Sequence, residues 1–202
     1  MANVSPTRRT ALQRRIRLLV AATISYNVIE AAIALAAGTR ASSTALIGFG
    51  LDSLIEVSSA AAIAWQFHAP DPETREKAAL RFVAWSFFAL AAYIAVQSVL
   101  ALTGRTEARP SSVGIALAAV SLLVMPLLSW AQRRAGRELG SRSAVADSKQ
   151  TLLCTYLSGV LLVGLVLNAG LGWSWADPVA ALAIAAVALR EGREAWRGDP
   201  CC

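Results

Sequence analysis

The sequence is poor in charge and almost devoid of histidine. Charged residues make up 16% of its 202 residues, and His68 is its one histidine. An average soluble domain carries about 25% charged residues. A single histidine excludes the His-rich and HExxH-type motifs of zinc enzymes, so we expect no enzymatic activity. Three cysteines do not make a disulfide framework.

Apolar residues dominate instead, and they are arranged in long runs. Hydrophobic residues account for 56% of the chain, and the mean hydropathy is +0.52. A run of about 20 such residues crosses the roughly 30 Å hydrocarbon core of a bilayer, and a helix satisfies its own backbone there. The sequence therefore predicts an all-α membrane protein with six transmembrane helices, over residues 17–38, 43–66, 79–103, 112–132, 144–168 and 175–195.

The six predicted helices form one transmembrane domain over residues 17–196. A basic tail over residues 1–16 precedes it, and a short tail over residues 197–202 follows it. The first apolar run has no small-residue cleavage site, so we expect no cleavable signal peptide.

Basic residues mark one side of the predicted bundle. Fifteen arginine or lysine residues fall in the N-terminal tail, the second and fourth connections and the C-terminal end, against three in the first and third connections. Because basic loops stay in the cytoplasm, we expect both termini to be cytoplasmic and the protein to lie in the inner (plasma) membrane. The net charge of +6 is then a topology signal, and we expect no nucleic-acid partner.

Ionisable residues inside the predicted helices are candidates for function, because each costs about 2.5–3.5 kcal/mol to insert at mid-membrane. Asp52 and Glu56 in helix two are four residues apart and therefore share one helix face. In helix five, Asp147, Gln150 and Cys154 line one face in the same way.

The depths of these groups agree. Counted from the helix ends at 1.5 Å per residue, Glu56, Cys154 and Glu30 of helix one fall within a few ångströms of one level. Antiparallel packing of helices two and five would then set Asp52 near Cys154 and Glu56 near Gln150. Carboxylate oxygens and a thiolate are ligands of Zn²⁺. A protonated carboxylate pair, an ion pair with Lys149, or a proton relay are alternative interpretations.

Three stretches resemble the cation diffusion facilitator (CDF) family of membrane transporters. From Tyr26 to Glu56, an asparagine in helix one, Asn27, precedes a pair of acids four apart. From Val145, the Ala-Asp that opens the family's fifth helix is followed by two positions where the family has ligands. From Trp175, an Asp-Pro opens the sixth helix. The three stretches read YNVIEAAIALAAGTRASSTALIGFGLDSLIE, VADSKQTLLCTYLSGVLLVGL and WADPVAALAIAAVAL.

The resemblance implies a CDF-type transmembrane domain, usually a homodimer, that exports Zn²⁺ or a related divalent metal in exchange for protons. It implies ligands at Asp52 and Glu56, with Gln150 and Cys154 standing where the family usually has His and Asp. Glu30 is an extra acid that would complete the shell, with Asn27 and Asp147 as further candidates in that set. The metal would be cargo, and we expect no resident cofactor.

The printed sequence ends soon after the sixth predicted helix. We therefore expect a divergent branch of the family that lacks the C-terminal cytoplasmic domain. A proton-coupled divalent metal efflux transporter is the function expected from these residues. A membrane protein that binds or senses metal without transport, and a proton-coupled transporter of a non-metal cation, are the two alternatives.

Overall fold

Six helices account for the fold in the computed structural model. It describes the backbone of residues 6–67, 73–104, 107–140 and 142–197, with their side chains except those of residues 6, 9, 63–67, 73–76, 142–144, 146, 147, 149 and 150. No strand occurs in these ranges, so the prediction of an all-α fold is confirmed. The helices are α1 (Pro6–Ala41), α2 (Thr44–Phe67), α3 (Glu73–Leu102), α4 (Ser112–Leu139), α5 (Arg142–Leu171) and α6 (Ala176–Arg197).

Helices α1 and α4 extend furthest beyond their predicted ends, on the basic side of the bundle. Helix α1 begins at Pro6, inside the segment predicted as a tail, because proline is pre-organised for the first helical position. Helix α4 continues to Leu139 and is ended by Gly140, whose left-handed φ of 72° closes the last turn. The Arg8 guanidinium donates a hydrogen bond of 2.6 Å to Glu138 and so joins these two extensions.

Five of the six helices are long and apolar enough to cross a membrane by length and composition. Helix α6, although wholly described, does not meet that criterion, because its uncharged run extends only from Pro178 to Leu189. That run covers roughly 18 Å. Its last turns, rich in arginine and glutamate, therefore belong to the membrane surface. The chain is a multi-pass membrane protein.

The helices pack as a group of four with a pair beside it. Helix α1 packs against α2 and α4, and α4 packs against α5, while α3 and α6 pack together against α2. Small residues allow close approach: a Cβ added to Gly164 of α5 would lie 2.8 Å from the Cβ of Ala180 in α6. Phe49, Leu161 and Ile184 form part of the apolar core between the two groups.

A buried carboxylate ties the start of α2 to the start of α6. Asp177, which is 1% exposed, accepts hydrogen bonds from the Ser43 hydroxyl and from the Ala45 backbone N–H, the latter at 3.3 Å. The Ser43 oxygen in turn accepts from the Leu46 N–H at 3.1 Å. The first N–H groups of a helix have no partner within the helix, so Ser43 and Asp177 together cap α2.

We expect Asp177→Ala to lower the free energy of unfolding by about 1–3 kcal/mol, because the Ala45 N–H and the Ser43 hydroxyl lose a buried acceptor. Asp177→Asn keeps one acceptor oxygen and should lower it less. Thermal unfolding in detergent measures the difference, with Thr39→Ala, which removes an exposed hydroxyl bonded only within α1, as the control. Equal stability of Asp177→Ala and Thr39→Ala would show that the cap contributes nothing.

Candidate metal centre

Three potential metal ligands meet between α2 and α5. Asp52 and Glu56 project from one face of α2, and Cys154 faces them from α5, with one ligand atom of each within 4.8 Å of the others. Asp52 is 5% exposed and Cys154 is fully buried. Two carboxylates and a thiol thus occupy one small volume between α2 and α5.

Glu56 is held at both of its carboxylate oxygens. Oε1 accepts a hydrogen bond of 3.0 Å from the Cys154 thiol, and Oε2 accepts one of 2.7 Å from the Asn27 amide nitrogen. Three helices therefore determine where this carboxylate points. The other end of the Asn27 amide, Oδ1, is buried and has no hydrogen-bond partner among the described residues. Burying an unpaired acceptor beside two carboxylates costs free energy unless a cation or a hydrogen-bond donor reaches it.

Asp52 is the least supported member of the group. Within the described ranges its carboxylate accepts no hydrogen bond and forms no ion pair. A buried carboxylate without a partner is strongly unfavourable, and a second carboxylate one helical turn away adds repulsion. A divalent cation would stabilise this arrangement, because its two positive charges would neutralise both carboxylates at once.

Glu30 lies in a separate polar group. Its Oε2 accepts a hydrogen bond of 2.9 Å from Ser53, and its Oε1 accepts one from Ser121 of α4. The Ser121 and Tyr26 hydroxyls are 2.7 Å apart and share another hydrogen bond. Hydroxyl groups, rather than the Asp52, Glu56 and Cys154 ligand atoms, surround this carboxylate, which is 1% exposed. The structure therefore does not place Glu30 with the three-residue cluster.

Two predicted site residues lie outside the described side chains. Asp147 and Gln150 belong to α5, and only their backbone is described. Lys149, Cys201, Cys202 and His68 likewise fall on residues whose side chains are not described.

A second polar layer lies on the side of the cluster facing the helix ends that are rich in arginine. Gln132 of α4, 1% exposed, donates to Thr23 of α1 and accepts from Thr151 of α5, both at 3.1 Å. Nearby, the Ser129 hydroxyl donates to the Ser148 carbonyl at 2.6 Å. Gln132 is the last residue of the fourth predicted helix, where a polar side chain is common and does not indicate a function. A helix that continues to Leu139 makes it an interior residue.

We expect Gln132→Leu to lower the free energy of unfolding by about 1–3 kcal/mol, because it removes two hydrogen bonds that join three helices. Gln97→Leu, on α3, is the matched control, since Gln97 has no hydrogen-bond partner among the described residues. Thermal unfolding of both variants in detergent measures the effect. A Gln132→Leu protein as stable as the Gln97→Leu protein would contradict a bridging role.

Comparison with known proteins adds two findings. The sequence profile of the cation efflux transmembrane domain matches residues 78–197, which is more than half of the chain. An uncharacterized transporter of Synechocystis sp. (strain ATCC 27184 / PCC 6803 / Kazusa) is 32% identical over 74 residues. That match covers 37% of this chain and 24% of the relative, so the chain spans about a quarter of the relative's length in the matched region.

Proposed function

Since the chain belongs to the cation efflux family, we propose that it exports a divalent metal cation, Zn²⁺ or a similar ion, in exchange for protons. The observation that carries the proposal is the cluster of Asp52, Glu56 and Cys154 between α2 and α5, with ligand atoms within 4.8 Å of one another. The metal is the transported substrate of this site. Mixed oxygen and sulfur ligands favour Zn²⁺ and its neighbours over Mg²⁺ or Ca²⁺.

The spacing of the cluster suits a tetrahedral ion. Bond lengths of about 2.0 Å to oxygen and 2.3 Å to sulfur set ligand atoms roughly 3.3–3.8 Å apart around Zn²⁺. The three ligand atoms here lie within 4.8 Å, so a closure of about 1 Å would bring them to bonding positions. The unpaired Oδ1 of Asn27, whose amide nitrogen already holds Glu56, supports Asn27 as a fourth ligand. In this proposal Gln150 and Asp147 stay candidates for the same position.

Glu30 would stabilise the site from outside it. Its carboxylate is surrounded by hydroxyl groups, and Ser53, which donates to it, is the neighbour of Asp52 in α2. The contact fixes the rotation of α2 relative to α1 and thereby the direction of the Asp52 side chain. We infer that Glu30 orients the ligands and does not complete the shell.

Proton exchange would follow from the ligands themselves. The Cys154 thiol donates a hydrogen bond to Glu56, so the sulfur binds metal only after its proton leaves. Metal capture therefore releases protons, and protons arriving from the other side compete for the same atoms. Metal affinity should fall as pH falls, because fewer ligands are then deprotonated.

The orientation of the protein follows from its arginines. We propose cytoplasmic termini in the inner (plasma) membrane, so that metal enters from the side of the Gln132 layer and leaves towards the Asp177 end. The proposal includes a homodimer in contact through its membrane helices.

We expect Asp52→Asn and Glu56→Gln to abolish metal-dependent flux and to weaken Zn²⁺ binding at least about 100-fold, because outer-shell changes alone cost 10–100-fold. The assay uses vesicles with a trapped metal-sensitive dye and an imposed pH gradient, together with direct Zn²⁺ binding in detergent. Asp177→Asn is the matched control, since Asp177 is a buried carboxylate bonded at the start of α2 and is not part of the cluster, so this variant should keep both activities.

Each outcome of that assay separates the possible functions. Flux that persists in Asp52→Asn would overturn the metal site. Zn²⁺ binding that depends on Asp52 without any flux would replace the exporter by a metal-binding or sensing protein. Absence of both, in folded protein and for every divalent ion tested, would favour a non-metal cation as substrate.

We expect Cys154→Ser to change which metal is carried. Replacing sulfur by oxygen removes the soft ligand, so Cd²⁺ and Zn²⁺ flux should fall about tenfold or more while Mn²⁺ flux falls less. Parallel flux measurements with these three ions give the ratio, and Ser158→Ala on the same helix is the control. A uniform loss for all three ions would show that Cys154 matters for folding and not for selection.

A further inference from the structure

A small cavity opens between α3 and α6 at the end of the bundle that is rich in arginine. Its volume is about 240 Å³, and its walls are Trp85, Phe88, Arg193, Trp196 and Arg197. It lies outside the metal cluster and shares no residue with it. Pockets for drug-sized ligands span about 300–1,000 Å³, so this one is the size of a smaller chemical group.

The aromatic side chains that line the cavity pack against one another. The Trp85 and Trp196 rings meet edge to face with centroids 6.0 Å apart, and Trp85 meets Phe88 in the same way at 6.1 Å. Gly192 makes this possible, since a Cβ there would lie 2.8 Å from the Phe88 ring. Trp85 is nevertheless 63% exposed and Trp196 50% exposed. Exposed tryptophans at a helix end belong to the interface between hydrocarbon and headgroups.

The charge at the cavity is of one sign. Arg193 and Arg197 are four residues apart on one face of α6, and the Arg81 guanidinium lies 5.5 Å from the centre of the Trp196 ring. None of the three forms an ion pair with a described carboxylate. Of the acids on the same turns of α6, Glu194 is paired with Arg190 at 2.8 Å. Glu191 is half-buried and does not line the cavity.

We propose that this cavity binds the headgroup phosphate of an anionic phospholipid. Guanidinium groups bind phosphate oxygens through paired, charge-assisted hydrogen bonds. Arg193 and Arg197 line the cavity, Arg81 lies against its Trp196 wall, and none of the three has a counter-ion among the described carboxylates. The tryptophan and phenylalanine rings form an apolar surface for the glycerol and the first methylenes of the acyl chains. Basic pockets between helices on the cytoplasmic side bind anionic headgroups, and the proposed topology puts this end there.

A second arginine–tryptophan pair, which does not line the cavity, serves as the reference for the proposed lipid site. Arg134 of α4 lies 5.4 Å from the centre of the Trp130 ring, which is 59% exposed. Neither residue lines the cavity described above. Arg134→Gln therefore removes the same kind of contact at the same kind of helix end without touching the proposed site.

The test measures quenching of tryptophan fluorescence by brominated lipids in vesicles. Brominated phosphatidylglycerol is compared with brominated phosphatidylcholine, and a Trp85→Phe/Trp196→Phe protein gives the signal of the other tryptophans. We expect at least about a tenfold preference for phosphatidylglycerol at Trp85 and Trp196. The Arg193→Gln/Arg197→Gln protein should lose most of it, since each arginine near a membrane surface changes anionic-lipid binding about fivefold. Arg134→Gln should keep it.

Four results would overturn the proposal. The first is equal quenching by both lipids, and the second is an unchanged preference after removal of both arginines. The third is loss of the preference when inorganic phosphate is added, which would identify a soluble phosphate as the ligand. The fourth is loss of quenching as the protein-to-lipid ratio rises, which would assign this face to a second copy of the chain.

Discussion

Two carboxylates, one helical turn apart in α2, have to be accommodated between packed helices. Their hydrogen bonds, together with those of Glu30, join the four helices α1, α2, α4 and α5. Helix α1 supplies the Asn27 amide to Glu56, α5 supplies the Cys154 thiol, and α4 reaches Glu30 through Ser121. Apolar packing alone between these helices would leave their rotations free to vary, because lipid tails are as apolar as leucine. The polar contacts remove that freedom and give the bundle one register.

Much of the fold could be predicted from the sequence, because the thickness of the hydrocarbon core sets how many consecutive apolar residues a spanning helix needs. Five predicted spans correspond to helices of membrane-crossing length and composition. Helix α6 is the exception. Its apolar run is short, and the predicted span over residues 175–195 includes arginines of its last turns. The approach of Asp52, Glu56 and Cys154 could be anticipated because spacing and depth are both properties of a straight helix.

The partners of these residues could not be anticipated in the same way. Serine, threonine and tyrosine are common in helices and have no period that distinguishes a bridging hydroxyl from a solvated one. Ser121 and Ser53 became partners of Glu30, and Gln132 a bridge, only through the rotation of each helix about its own axis. That rotation depends on which small residues meet, such as Gly164 and Ala180, and a single sequence does not show pairs of residues in contact. The hydrogen bonds of Glu30 to these two serines are one result that the sequence alone did not indicate.

The cap on α2 has a consequence for how the protein is made. Asp177 is synthesised more than a hundred residues after the Ser43 and Ala45 groups that it binds. During insertion of the nascent chain, α2 therefore enters the bilayer with the hydrogen-bonding groups at its N-terminal end still unsatisfied by protein. They acquire this acceptor only when the first turn of α6 has been made. The cap of the helix that carries Asp52 and Glu56 is thus completed only after the last helix of the bundle has begun.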